Sequence, residues 1–566
     1  MTEADSRTDE RQRQGASAAA SFSDSLDVWG GGELLAFSGL DGPTDFETQL
    51  VGRTSFAGCG IDIKLPSAQL WGQCPHQCVI RFDDVPPRRA RLAGDFFELE
   101  VAAGTVRGAF LDNEHLLIDG PCRLEACSPA IRAVQRDGRT LIASHAKDNA
   151  ALLDADLPAV MSARAEWLAS ALARLRADRL TLDRRRLLAK CLSIMKTQVY
   201  TPQGRIRRRW TTADRWPHRR MFLWDSVFHA MGLRHIDVQL AREAIHALLD
   251  VQQPDGMIGH THDGGFSSKL TQPPVLTMGA MRLDEMQRDD AWLAEIYPHL
   301  RRYIEWDLTC DVAGGGLLQW RITDSQTCRC DESGADNSSR FDCAVPLDAP
   351  DFSAFVAREC ELLAQMADRL GRRDDARRWA AHHRRLNELM NARLWSEELG
   401  FYVDAVAADG RQTGILATSG FFPLLSGAPS LAQAHRLAEH VTDPRTFGAP
   451  LPLPTIAACH QADGLYEKDM WRGPVWMNYN WLAAEGFDRY GLHDVASLIR
   501  NRSLDAVWRY YQELGCLFEF YDDRLELPPP QLHRKKQRIF DTHPHMVIHD
   551  YGWTAACCAD WICRGF

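Results

Sequence analysis

The spacing of apolar residues divides the chain into two kinds of territory. Between residues 25 and 150 it has the period of strands. Asp95-Phe96-Phe97-Glu98-Leu99-Glu100-Val101 alternates over most of its length, and Val79-Ile80-Arg81-Phe82 is a short apolar run. Clusters of Gly, Pro and Asp at Gly30 to Gly32, Asp41 to Pro43 and Asp83 to Pro87 break the segments. Short strands with regular breaks predict an antiparallel β-sandwich. From about residue 156 the period becomes helical. Met161, Ala165, Leu168, Leu172 and Leu175 recur at alternating four- and three-residue spacing, which predicts a helical linker over 151–182. Farther on, Trp292, Leu293, Ile296, Leu300, Tyr303 and Ile304 make one continuous apolar face, and Phe352, Phe355, Val356, Leu363, Met366 and Leu370 repeat the pattern. Twelve helices are predicted over 183–566, starting near 184, 223, 237, 273, 289, 350, 373, 412, 430, 471, 492 and 550. The expected class is mainly α, with a β-domain over 25–150 in front of a helical domain over 183–566. Residues 1–24 are polar and charged, lack the apolar core of a secretory signal, and read as a disordered tail.

One stretch breaks both periods. Asp331-Glu332-Ser333-Gly334-Ala335-Asp336-Asn337-Ser338-Ser339-Arg340-Phe341-Asp342 packs four carboxylates, one arginine and three serines into twelve residues. Unpaired buried carboxylates are costly, so a loop this acidic is not expected in the core. It is either a solvated or cation-binding turn, or a catalytic loop in which one carboxylate keeps its proton among charged neighbours. On the second reading the clustered carboxylates Asp331, Glu332, Asp336 and Asp342 raise one another's pKa by like-charge repulsion. Arg340 would pair with Asp342 or Glu332, and Asn337 and Ser338 would hold the loop through turn hydrogen bonds.

Composition adds bounds. A chain of 566 residues, 45% apolar and 25% charged, is long enough for two globular domains. No run of 18 apolar residues exists, so no membrane span is predicted and the expected location is cytoplasmic. A net charge of −11 argues against nucleic acid as the main partner. The local exception is Arg205, Arg207, Arg208, Arg209, Arg215, Arg219 and Arg220, interleaved with Trp210 and Trp216. Such a patch can stack bases, brace a sugar site or pair with acidic side chains. Cys59, Cys74, His76 and Cys78 include one zinc-like spacing, but no second pair follows. His543, His545 and His549 cluster before the last helix. No metal or other cofactor is expected.

Other stretches carry the residue types of sugar chemistry. An indole covers the apolar face of a sugar, and a carboxylate accepts from two hydroxyls. Trp224 and Asp225 in Trp224-Asp225-Ser226-Val227-Phe228-His229-Ala230 fit that pairing, although Asp225 would serve equally as a helix cap. Asp255-Gly256-Met257-Ile258-Gly259-His260 is a turn followed by a histidine that either donates to a sugar or lies on the surface. Trp471-Arg472-Gly473-Pro474-Val475-Trp476 offers a stacking face and a donor fork, or simply an ordinary helix start with Pro474 in its first turn.

These stretches, with Glu332-Ser333-Gly334-x-Asp336-Asn337-Ser338-x-Arg340-Phe341-Asp342, Phe518-Glu519-Phe520-Tyr521 and Tyr551-Gly552-Trp553, resemble in the same order the motifs of the family 63 glycosidases and their trehalase relatives. The resemblance covers roughly residues 185 to 566. It implies an (α/α)6 toroid behind a β-domain, and an inverting, exo-acting hydrolase of a small α-linked glucoside or mannoside, such as a disaccharide or a glycosylated small acid. It places Asp336 at the general acid and Glu519 at the base. It gives sugar binding to Phe222, Trp224, Asp225, His260, Glu332, Trp471, Arg472 and Trp553. The implied partner is a small carbohydrate, with neither nucleic acid nor membrane. The chain also departs from the pattern: Glu526-Leu527-Pro528-Pro529-Pro530 and Arg534-Lys535-Lys536 stand where the relatives carry a Gly-rich segment. Asp522 and Asp523 are the nearest alternatives to Glu519. A glycoside phosphorylase or other (α/α)6 sugar-active enzyme, and a non-catalytic carbohydrate-binding protein, are the alternative readings.

Overall fold

A computed structural model describes residues 26–65, 78–144, 149–325, 327–536 and 547–566. The expected tail, Cys74 and His76, and His543 and His545 lie outside the described residues. The N-terminal part is β-rich. One antiparallel sheet runs Leu34–Ala36, Val51–Thr54, Cys59–Lys64, Cys78–Asp83, Arg123–Cys127. A second runs Ile131–Arg136, Arg139–Ser144, His115–Asp119, Gly104–Phe110, Phe96–Val101, Arg89–Ala93.

The strand Phe96–Val101 shows why alternation is incomplete here. Phe97, Leu99 and Val101 share a core with Leu35, Ile61, Ile63 and Ile80 of the other sheet. Phe96 points the other way, and with Ala109, Leu117 and Leu141 it joins the core of the helical part. A strand covered on both faces needs apolar residues at consecutive positions.

The helices are α1 (Leu157–Arg174), α2 (Leu182–Thr197), α3 (Leu223–Leu233), α4 (Val238–Asp250), α5 (Leu276–Met286), α6 (Asp290–Asp307), α7 (Pro350–Arg369), α8 (Arg373–Arg393), α9 (Pro423–Ser426), α10 (Leu431–Thr442), α11 (Met477–Arg489), α12 (His493–Leu514) and α13 (Gly552–Cys563). Local chemistry sets several starts. Thr181, Asp237 and Asp289 each accept from a backbone N–H of the first turn, and Ser430 with Gln433 forms a reciprocal capping box. Consecutive helices pair, as in α7 with α8 and α11 with α12, and the last helix α13 packs against both α2 and α3. The end of the chain thereby returns to the start of the helical part.

Two predicted starts need correction. No helix begins near 412; a 3-10 turn at Thr418–Phe421 leads into the short α9. The start predicted near 471 falls at Met477, so Trp471 to Trp476 is loop and Pro474 precedes the helix. The two indoles stack at 3.6 Å and 6°, which fixes that loop without helical hydrogen bonds.

The β-rich part grips the helical part through charges. Buried Lys190 of α2 lies 2.8 Å from Glu33 and 3.0 Å from Asp550, and Asp550 accepts from the backbone of Leu34 and Leu517. Burial pushes the Glu33 carboxyl up to about 7. Two residues of the arginine-rich stretch enter the same seam, and others pair within the helical part. Arg215 donates to Gln49 and Val199 and lies over the Tyr200 ring at 3.6 Å, and Arg219 donates to the Phe46 carbonyl. Arg209 pairs with Glu243, Arg220 pairs with Asp263, and Trp210 is buried against Tyr200. No helix among the described residues is long and apolar enough to cross a membrane.

Candidate active site

The loops before α3, α11 and α13 meet the acidic loop around one cavity of about 370 Å³. Its floor is aromatic. Trp224 lies edge-on to Trp553 at 5.1 Å and 6.4 Å from Trp471, and Trp476 lies 5.4 Å from Trp553. A short antiparallel ladder pairs Phe222 with Thr261, and Leu223 donates to the His260 carbonyl. That ladder brings the Asp-Gly turn region onto the start of α3 and sets His260 6.3 Å from Phe222. Burial pushes His260 down to about 4, so it is a neutral donor or acceptor at pH 7. Asp225 sits in the first turn of α3, and Phe222 rather than Asp225 is the cap residue. Its carboxyl accepts from Tyr551 at 3.3 Å, and burial holds it well above the usual carboxylate range.

The acidic loop is largely buried, against the expectation from its charge. Two 3-10 turns, Asp331–Ser333 and Ser339–Phe341, carry it. Burial is tolerable in part because its arginine is paired. Arg340, 1% exposed, donates to both Asp351 and Asp404 rather than to Asp342 or Glu332. Asn337 does not close a local turn. Its amide donates to Asp469 and its carbonyl oxygen accepts from the Trp471 backbone, so the acidic loop is tied to the tryptophan loop. Gly334 has φ 70°, and a Cβ there would meet the Trp224 indole at 2.4 Å. The loop therefore needs glycine at this point to lie against Trp224.

Asp336 and Glu519 both face the cavity, and each has its own cation. Lys535 Nζ lies 2.9 Å from Asp336 Oδ2. Arg534 donates from Nε to Glu519 Oε2 at 2.8 Å and from Nη2 to Oε1 at 3.2 Å. Glu519 Oε2 also accepts from the Ile548 backbone at 3.3 Å. Lys535 Nζ is 2.7 Å from Cys328 Sγ as well. Cys328, Asp331 and Asp336 bring their donor atoms within 4.8 Å of one another, a spacing that can hold a cation, and the ammonium of Lys535 supplies the positive charge there. Burial together with neighbouring Asp336 pushes the Asp331 carboxyl up to about 7.

Phe222, Trp224, Asp225, His260, Trp471 and Trp553 line the same cavity. Two residues named from the motifs, Glu332 and Arg472, are not among the lining residues. Glu332 accepts from the Arg321 backbone at 2.9 Å. Arg472 is held by both oxygens of Asp342, at 3.0 and 2.9 Å, and by Glu467 at 3.2 Å. Asp522 and Asp523 are likewise engaged elsewhere: both pair with Lys468, and Tyr466 donates to Asp523 at 2.7 Å. His549 packs edge-on against Phe518 and donates to the Val547 carbonyl.

The motif reading missed Arg534, Lys535, Tyr551 and His218. Asp214 accepts from His218 Nδ1 at 2.6 Å and from its backbone N–H at 3.0 Å, which fixes the ring at the cavity wall. The signal for the first two was present in the sequence as the basic run, which carries one cation for each carboxylate.

A family model described as "Mannosylglycerate hydrolase MGH1-like glycoside hydrolase domain" matches residues 218–524, more than half of the chain. The chain belongs to this glycosidase family. Among its curated relatives are mannosylglycerate hydrolase MGH2 of Selaginella moellendorffii, 25% identical over 53% of this chain and 74% of that protein, and the mannosylglycerate hydrolase of Thermus thermophilus, 25% identical over 52% and 88%. A glucosylglycerate hydrolase of Mycolicibacterium hassiacum is 23% identical over 61% and 92%. The crystal structure of a GH63 mannosylglycerate hydrolase from Thermus thermophilus in complex with glucose has the same fold over 66% of this chain and all of that one, with a TM-score of 0.54 at 23% identity. As a member of this family the protein is a glycosidase, and its neighbours are of the helical family 63 and trehalase type.

Proposed function

We propose that the protein is an inverting, exo-acting hydrolase of a small α-linked glucoside or mannoside with an acidic aglycone, a glycosylglycerate being the first candidate. The observation that carries this reading is the pair Asp336 and Glu519, which face one aromatic-walled cavity, each against its own cation. On this reading Trp224, Trp471 and Trp553 cover the apolar face of the sugar, and Asp225 and His260 bind its hydroxyls. Asp336 protonates the glycosidic oxygen as the C–O bond breaks. Glu519, aimed by the fork of Arg534, takes a proton from the water that attacks the anomeric carbon from the opposite side. Inversion requires the two carboxyls about 6.5–9.5 Å apart, with the water between them. A cavity of about 370 Å³ suits one sugar and a short aglycone. The same reading takes the helical part, residues 183–566, as an (α/α)6 toroid, 25–150 as a β-sandwich, and 151–182 as the link between them. The return of α13 to α2 and α3, and the core shared by the two sheets, support it.

The test is turnover of trehalose, sucrose, kojibiose, glucosylglycerate and mannosylglycerate, with and without phosphate. Phosphate-independent release of free hexose from a glycosylglycerate is expected. Release of a sugar phosphate only when phosphate is present would replace the hydrolase reading with a phosphorylase. Tight binding of a sugar without turnover would favour a carbohydrate-binding protein.

A further inference from the structure

We propose that Lys535 makes the acid step conditional on the charge of the leaving group: an anion on the aglycone draws the ammonium away from Asp336, and only then is Asp336 free to deliver a proton. The inference rests on the assignment of Asp336 as the acid and goes beyond it.

Two requirements on Asp336 conflict. A general acid must carry a proton when substrate is bound. Asp336 Oδ2 instead lies 2.9 Å from an ammonium whose side chain is only 10% exposed, so a proton there and the lysine contact compete for the same oxygen. In the unliganded site the ammonium therefore occupies the oxygen that would have to carry the proton. The other groups acting on Asp336 do not remove the conflict. Arg534 adds positive charge nearby, His260 is neutral, and Tyr479 is buried with its hydroxyl proton held. Cys328 keeps its proton, because burial pushes the thiol up. The cation itself must be occupied by something else when substrate arrives.

Position says what that partner is. The oxygen that Asp336 protonates belongs to the leaving group, so the aglycone lies on the Lys535 side of the site. A carboxylate or phosphate on the carbon bearing that oxygen comes within reach of a lysine already in contact with the acid. The strap that carries Lys535 is fixed in place. Lys535 and Lys536 adopt φ 55° and 66°, a backbone region that non-glycine residues rarely occupy and one that often marks functional sites. The Lys536 N–H bonds to Asp469, which Asn337 of the acidic loop also contacts. The backbone therefore stays while the flexible lysine side chain swings between acid and anion.

The proton has a local source. Asp331, half-buried beside Asp336, titrates at about 7 and still carries a proton near neutrality. With the ammonium engaged by the substrate anion, that proton moves from Asp331 to Asp336 and on to the leaving oxygen as the C–O bond breaks. Water supplies its hydroxyl to the anomeric carbon and its proton to Glu519. Solvent exchange then resets both carboxylates.

The experiment compares 2-O-α-mannosyl- and 2-O-α-glucosyl-D-glycerate with their methyl esters, using the full-length wild type, Lys535→Met and Lys535→Arg. The wild type should prefer the free acid by about 100-fold in kcat/KM, the scale expected when one partner of a buried charge pair is lost. In Lys535→Met the preference should fall to within about threefold, kcat on the ester should rise above that of the wild type, and the alkaline limb of its pH profile should move to higher pH. Lys535→Arg should restore the preference, which separates lost charge from damaged structure. Equal turnover of acid and ester by the wild type would overturn the proposal while leaving the hydrolase reading intact. A Lys535→Met enzyme that keeps the wild-type preference would do the same. No turnover of any α-glycoside by the wild type would overturn the hydrolase reading, and this inference with it.

Discussion

Asp336→Asn is expected to lower kcat by about 10²–10⁴-fold on a substrate with an alkoxide leaving group, with KM little changed. Asparagine keeps the shape of the side chain and the contact with Lys535, but it has no proton to give to the glycosidic oxygen. The loss should depend on the leaving group. An aryl glycoside that departs as a stabilised phenolate needs no protonation, so on that substrate the variant should retain most of the wild-type rate. That split separates loss of the acid from general damage to the site. A variant with kcat within about tenfold of wild type on the natural type of leaving group would remove Asp336 from the acid role and turn attention to Asp331, the neighbouring carboxyl that holds its proton near neutral pH.

Arg340→Met is expected to cost about 3–5 kcal/mol of stability, the range for removing one partner of a buried ion pair. The arginine makes four charged hydrogen bonds to two buried carboxylates, and methionine replaces none of them. It also anchors the acidic loop to the first turn of α7 through Asp351 and to the Phe401–Val406 region through Asp404. The pH dependence has a definite sign. Burial already raises the Asp404 carboxyl above its ordinary value even with Arg340 opposing, and without the arginine it rises further. A raised folded-state value means that stability is fully present below the unfolded value, about 3.9, and is lost as pH climbs toward the folded one. Urea unfolding at pH 5 and pH 8 should therefore show a larger gap between wild type and variant at pH 8. A gap below about 1 kcal/mol, or one that narrows with rising pH, would mean that the triad is not what holds the loop.

What could be read from the sequence follows from the range of each interaction. Helix periodicity and caps are local, and the predicted starts near 223, 237, 289, 350, 373, 430 and 492 fall at or within one residue of the observed helices. The failures near 412 and 471 have nearby causes in the stacked Trp471 and Trp476 and in the 3-10 turn at Thr418–Phe421. The composition of the acidic loop was legible, and so was the gathering of aromatic and acidic residue types that line the cavity. Which charges pair was not. Arg340 reaches Asp404 across 64 residues, Arg472 reaches Asp342 across 130, and Lys535 contacts Cys328 across 207. Such partners are chosen by the packing of helices, and sequence spacing carries no record of it. For the same reason the backbone partner of Glu332 and the Asp342 partner of Arg472 could not be read, and Lys535 looked only like a departure from the family pattern.

The central claim is that Asp336 and Glu519 act as acid and base on opposite faces of one sugar. It is tested most directly by proton NMR of the first-formed product, following the wild-type enzyme on α-mannosylglycerate and α-glucosylglycerate faster than the free sugar mutarotates. The account predicts that the β-anomer appears first and the α-anomer grows in later, and that Glu519→Gln abolishes both signals. Initial release of the α-anomer would contradict it, since retention requires a carboxylate close enough to attack the sugar itself.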